Sequence, residues 1–171
     1  MDSKFRLQWP NILVPIDFAD PFNQALQIAI GMAERLQATL TLLNVVHLPA
    51  CYPMDTLQDL EGLMSCASNS LENMCSIVPP SLVSQKLVRF AQEDVAEEII
   101  KAAVELPASF MVISIHRHGG LARVLHPGIA DKVIHHSPCP VLVVPLKKQD
   151  TGSIPLHAAE PANQFKKNAA S

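Results

Sequence analysis

At 171 residues, 49% apolar and 17% charged, the chain is long enough for one domain with a substantial core and too apolar to be wholly disordered. No apolar run reaches the roughly 18 residues that cross a bilayer, and residues 1–10 carry Lys4 and Arg6 without the apolar stretch of a secretory signal. A formal net charge of −3 offers no global attraction for nucleic acid or an anionic membrane, and Cys51, Cys66, Cys75 and Cys139 form no CxxC pair, so they read as reduced thiols of a cytoplasmic protein.

Short apolar runs alternate with amphipathic stretches from Asn11 to Leu146, the pattern of βαβ units around a parallel sheet. Ile12 to Ile16 is the first strand. Pro15 within it lacks an N–H and on propensity alone demotes that strand to a sheet edge. Asp20 and Pro21 form an N-cap and first-turn proline for a helix to Leu36, with Phe22, Ala25, Leu26, Ala29, Ile30, Ala33 and Leu36 on its apolar face. Leu40 to Val46 is the second strand. Helical spacing of Leu57, Leu60, Met64, Ala67, Leu71, Met74 and Ile77 predicts a helix over Thr56 to Ile77, stopped by Pro79 and Pro80. Lys86 to Ala91 is the third strand. A helix then starts at Asp94 with a capping box to Glu97 and buries Ile99, Ile100, Ala103 and Val104. Phe110 to Ile115 is the fourth strand, Gly128 to His136 the last helix with Ile129, Val133 and Ile134, and Val141 to Pro145 the fifth strand. Residues 1–10 are an N-terminal extension and residues 147–171, lacking a periodic apolar face, a disordered tail. The span 11–146 holds 7 basic and 13 acidic residues, so basic flanks mask a domain of net charge −6.

Two segments carry a family resemblance. Asn11-Ile12-Leu13-Val14-Pro15-Ile16-Asp17-Phe18, and the block from Val112 to Val144 that ends Ser137-Pro138-Cys139-Pro140-Val141-Leu142-Val143-Val144, resemble the universal stress protein family, with Leu42-Leu43-Asn44-Val45-Val46 between them similar to its second strand. The resemblance covers about residues 11–146 and accepts Pro15 in the first strand. It implies a single-domain α/β fold of Rossmann-like, nucleotide-binding α-hydrolase type, with an open five-stranded parallel sheet and helices on both faces. It also implies a homodimer through the last strand, at Val141, Leu142, Val143 and Val144.

The resemblance divides the expected function. One branch of the family binds ATP through G-x2-G-x9-G-[S/T] between the fourth strand and last helix; the other lacks the pattern. Glycines there let backbone N–H groups approach phosphate oxygens at a helix N-terminus. In this chain the three glycine positions fall on Ser114, Arg117 and Pro127 and the hydroxyl position on Gly128; shifting the frame by one puts Ile129 at the hydroxyl position. Pro127 removes an N–H where phosphate donors are needed. Asp17 matches the acidic residue facing the nucleoside, Val45 the position whose backbone meets adenine, and His116 a loop histidine, whereas Glu93 stands where many members have a turn glycine. The candidate nucleotide residues are thus Pro15, Asp17, Val45, Ser114, His116, Arg117, Gly128 and Ile129, with the basic stretch around Arg117 and Arg123 as the one place an anion is still expected.

His116, His118, His126, His135 and His136 fall close together, but His135 and His136 sit where cations complement a helix C-terminus, so no metal site is assigned. Cys139, between Pro138 and Pro140, reads as structural rather than nucleophilic. Met54, Met64, Met74, Cys66 and Cys75 read as adaptable apolar filling, with a partner groove as their other reading. The expectation is a cytoplasmic, non-catalytic stress-response binding or signalling module with a degenerate ATP loop and no cofactor. It acts as a homodimer with an unidentified protein partner, and without nucleic acid or membrane contact. The alternatives are an ATP-binding switch or weak ATPase, and a His-rich metal-responsive protein.

Overall fold

The computed structural model describes residues 11–18, 23–48, 57–106, 108–115 and 128–145. The extension at 1–10, the tail at 147–171, and the loop holding His116, Arg117, Arg123 and Pro127 lie outside these residues. So do Asp20, Pro21 and Phe22.

Strands β1 (Asn11–Pro15), β2 (Thr39–His47), β3 (Val83–Ala91), β4 (Phe110–Ile115) and β5 (Val141–Pro145) form one all-parallel sheet in the order β3-β2-β1-β4-β5. Helices α1 (Gln24–Leu36), α2 (Leu57–Cys75), α3 (Val95–Glu105) and α4 (Ile129–His136) connect them, with a 3-10 turn at Pro80–Leu82. The expected open five-stranded parallel sheet with helices on both faces is the observed fold. Each central strand is apolar on both sides, as burial on two faces requires. Ile12, Val14, Leu40, Leu42 and Val112 pack with Ala25, Leu26, Ala29 and Ala33 of α1 and Leu71 and Cys75 of α2. Leu13, Leu43, Met111 and Ile113 point the other way, against Ala96, Ile99, Ala102 and Ala103 of α3 and Val133 of α4.

Pro15 sits in a central strand, contrary to its propensity. Backbone groups of a strand alternate sides, and Ser109 N–H donates to Asn11 O on the β4 side while Ile16 N–H donates to Leu43 O on the β2 side. Asn11, Leu13 and Pro15 therefore share the β4 side. Pairing between β1 and β4 covers Ile12 and Leu13 and stops there. Pro15 faces β4 without an N–H, and the β1–β4 ladder ends at Leu13, just before the rung that this donor would make.

Several local expectations are corrected. Helix α1 starts at Gln24 with Asn23 as N-cap, in a left-handed conformation at φ 46, rather than at Asp20. Strand β3 begins at Val83, because Ser84, Gln85 and Lys86 are exposed on a sheet edge, where an apolar run is not needed. In α3 the buried stripe is Ala96, Ile99, Ala102 and Ala103; Ile100 is half-buried and Val104, 64% exposed, faces solvent. Leu36, Met64, Ile77, Ile129 and Ile134 are also exposed. Leu36 and Ile77 lie where the chain leaves α1 and α2, and the inward stripe of α2 runs through Ala67, Leu71 and Cys75 rather than Met64.

Asp94 caps α3 as expected, accepting from Ala96 N–H at 2.9 Å, but Glu97 Oε2 lies 3.9 Å from Lys101 Nζ. Asp94 also accepts from Lys132 Nζ at 2.6 Å, tying the start of α3 to α4.

Candidate functional site

In a parallel sheet whose strand order reverses, the strands flanking the reversal part at their C-terminal ends and leave a crevice. Here the chain passes from β1 leftward to β2 and β3, then returns through β4 to β5, so the reversal falls between β1 and β4. A cleft of about 860 Å³ opens there.

Its floor is the ends of three strands: Pro15 to Phe18, Leu43 to His47, and Ile113 to Ile115. One wall is the middle of α2, through Leu63, Cys66, Ala67 and Ser70. The opposite wall is Val95 and Ile99 of α3 and residues 128–131 at the start of α4. Most of this lining is apolar, with Asp17, Asn44, His47, Cys66, Ser70, Ser114 and Asp131 as polar points.

The cleft brings together Pro15, Asp17, Val45, Ser114, Gly128 and Ile129, six of the eight predicted nucleotide residues; His116 and Arg117 lie outside the described residues. Leu43 turns its carbonyl toward β1, where it accepts from Ile16 N–H at 2.7 Å. Strand alternation turns the Val45 carbonyl the same way, past the point where β1 ends. Among the described non-glycine residues positive φ occurs at Asn23 and Gln37, so neither Ser114 nor Glu93 needs the conformational freedom of the glycine expected at its position.

The start of α4 departs from a phosphate cradle. Gly128 N–H donates to Asp131 Oδ2 at 3.2 Å, so the chain's own carboxylate complements this helix end. Ile129, 48% exposed, offers an apolar side chain there. Among the described lining residues there is no Lys or Arg, and Lys132 Nζ is engaged by Asp94.

Asn44 was read only as part of a strand, yet it lines the cleft, 6% exposed. Its Nδ2 donates to Ile16 O at 3.0 Å, and its Oδ1 is buried without a partner among the described residues. A lone amide in the run Leu40 to Val46 was the available signal. Cys66, Ser70 and Asp131 were missed as lining because only the fold brings α2 and α4 to the strand ends.

Outside the cleft, Cys139 N–H donates to Ser137 Oγ at 3.3 Å and Ser137 Oγ donates to Cys139 O at 2.9 Å, a turn leading into β5. His136 Nδ1 lies 3.0 Å from Lys132 O in the last turn of α4. The described residues contain no cluster of three or more His, Cys, Asp or Glu able to hold a metal ion, and no described helix is long and apolar enough to cross a membrane.

The chain matches the model of the universal stress protein family over residues 8–145. It is 28% identical to universal stress protein YxiE of Bacillus subtilis over 149 residues, 78% of this chain and 97% of that protein. Among solved structures it resembles a universal stress protein family member from Burkholderia pseudomallei, at TM-score 0.62 and 24% identity, covering 81% of this chain and 98% of that one. It also resembles the Archaeoglobus fulgidus universal stress protein in complex with dAMP, at TM-score 0.54 and 19% identity, covering 80% and 98%. At these identities the structural likenesses speak for the fold.

Proposed function

Because the chain belongs to the universal stress protein family, we propose that it is a non-catalytic binding module of the stress response, whose cleft takes a small ligand without gripping a triphosphate. The observation that carries this reading is the bond from Gly128 N–H to Asp131 Oδ2. It places a carboxylate where a phosphate would need free N–H groups, directly after Pro127, which has none to give. The family structure in complex with dAMP supports a ligand of nucleoside type on this fold. We assign the cleft no catalytic residue and no cofactor.

The module works as a homodimer in this reading. Among the described residues strand β5 pairs with β4 alone, and in this reading its other edge receives a second copy. Val141 and Val143 pack inward, Val144 is buried, and Leu142, 38% exposed, is the side chain offered at that edge. Ligand occupancy is then relayed to a protein partner.

Convergence of Asp17, Val45 and Ser114 on one cleft favours the second reading, an ATP-binding switch. Equilibrium titration of the full chain with a fluorescent ATP analogue, with and without Mg²⁺, separates the two. The first reading expects no saturation at micromolar ligand and no phosphate release; saturable micromolar binding overturns it.

A further inference from the structure

We propose that the N-terminal segment folds back on the end of the sheet where the strands begin, with Trp9 seated on Val104 at the C-terminal end of α3. Most of the segment precedes the span 8–145 that matches the family model. Its seat lies at the opposite end of the sheet from the cleft, so the contact is independent of the ligand site.

The described surface leaves an apolar seat there. Val104, in the last turn of α3, is 64% exposed, more than any other large apolar side chain among the described residues. Glu97, Glu98, Lys101 and Glu105 make up the charged surface around it. Singly exposed apolar side chains are ordinary on protein surfaces, so exposure alone names no occupant. The chain that arrives at this spot does. Asn11 Nδ2 donates to Leu106 O, at the C-cap of α3, at 3.0 Å, and Ser109 N–H donates to Asn11 O at 2.9 Å. The residues before β1 therefore emerge against Leu106, two residues past Val104.

The sequence of the segment fits that seat. Asn11 and Leu13 both turn their side chains to the α3 face, Asn11 through Leu106 and Leu13 into the core with Ala102 and Ala103. Period-two alternation assigns Trp9 to the same face, and Pro10 after it biases Trp9 toward extended backbone. Two extended residues span about 7 Å, which sets the indole beside the last turn of α3. Phe5, Leu7 and Trp9 alternate with Lys4, Arg6 and Gln8, so an extended segment turns one apolar edge to the fold and one polar edge to water. Charge favours the same place. Residues 1–10 carry Lys4 and Arg6 against Asp2, whereas α3 and its cap carry Asp94, Glu97, Glu98 and Glu105 against Lys101. The last turn of α3 holds no basic residue of its own to complement the negative end of the helix.

Trp9 is the chain's one tryptophan, so its fluorescence reads the contact in the full chain without a label. The proposal expects emission blue-shifted from that of N-acetyltryptophanamide and at least threefold weaker quenching by acrylamide, both differences being lost in urea. Val104→Asp, at an exposed site, leaves circular dichroism unchanged, returns the emission toward that of the free amide and at least doubles the quenching. Ile77→Asp, at the same end of the sheet but beside α2 on the other face, moves neither. If Val104→Asp does not fold, nuclear Overhauser contacts between the Trp9 indole and the Val104 methyls of the native chain decide the point: their presence supports the seat and their absence overturns it. Emission and quenching equal to those of the free amide, or a response to Ile77→Asp without one to Val104→Asp, would each overturn the proposal. So would protection of Trp9 that disappears on dilution, because a second copy would then be what covers it.

Discussion

Asp94 joins two helices through one carboxylate: Oδ1 accepts from Ala96 N–H in α3 and Oδ2 from Lys132 Nζ in α4. The Lys132 hydrogen bond, more than the cap, holds its carboxyl below the usual carboxylate range. A depressed carboxylate stabilises the fold above its unfolded pKa of about 3.9, and that contribution is lost as pH falls through the lower folded value. Asp94→Ala therefore lowers stability by about 1 kcal/mol at neutral pH. In urea unfolding its difference from the native chain shrinks as pH drops below about 4. The cysteines differ in the same way by environment. Burial, opposed by Lys86, pushes the Cys75 thiol up, while Cys66 is exposed on the cleft wall. Iodoacetamide with peptide mapping is expected to modify Cys66 well before Cys75. Asp17, Val45 and Ser114 were legible through the family resemblance, and they lie at or just beyond the C-terminal ends of strands, where ligands of parallel sheets gather. Asn44 was not, since an amide inside such a run acquires meaning only once its hydrogen-bond partners are known.

Among the elements, β1 shows where local propensity and topology disagree. Pro15 discourages a central strand, yet its missing N–H falls beyond the last β1–β4 pair. Pro15→Ala is therefore expected to change stability by less than about 1 kcal/mol, whereas Leu13→Ala, at a fully buried site in the same strand, costs about 2–5 kcal/mol. Both are read by chemical denaturation. The strands read most accurately were β4 and β5, whose apolar runs coincide with Phe110–Ile115 and Val141–Pro145. The start of β3 was illegible because an edge strand may be polar: Lys86 and Arg89 pair with Glu72 and Glu105 there. The opposite edge carries the dimer proposal. Leu142→Lys places a charge on that edge, a change that discourages strand addition. In light scattering a native dimer becomes an 18.6 kDa monomer with unchanged circular dichroism; a monomeric native chain at high concentration contradicts the interface.

At the scale of the molecule, alternation of apolar runs with amphipathic stretches was enough to read βαβ units around a parallel sheet, and the family resemblance supplied the helices on both faces. The cleft needed the strand order β3-β2-β1-β4-β5, which places the reversal beside Pro15 and brings α2, α3 and α4 around it. Charge reads differently at this scale as well. The span 11–146 is acidic, and its described cleft lining continues that sign with Asp17 and Asp131. Asp131, which accepts from Gly128 N–H, is proposed to keep phosphate from the α4 N-terminus. Amide chemical-shift mapping of the ¹⁵N-labelled chain tests it directly, since the chain has only 6 glycines and the Gly128 signal can be assigned. Titration with ATP and Mg²⁺ to millimolar concentration is expected to leave the amides of Gly128, Ile129 and Ala130 unmoved. Saturating shifts of those three amides at micromolar ATP would contradict the account.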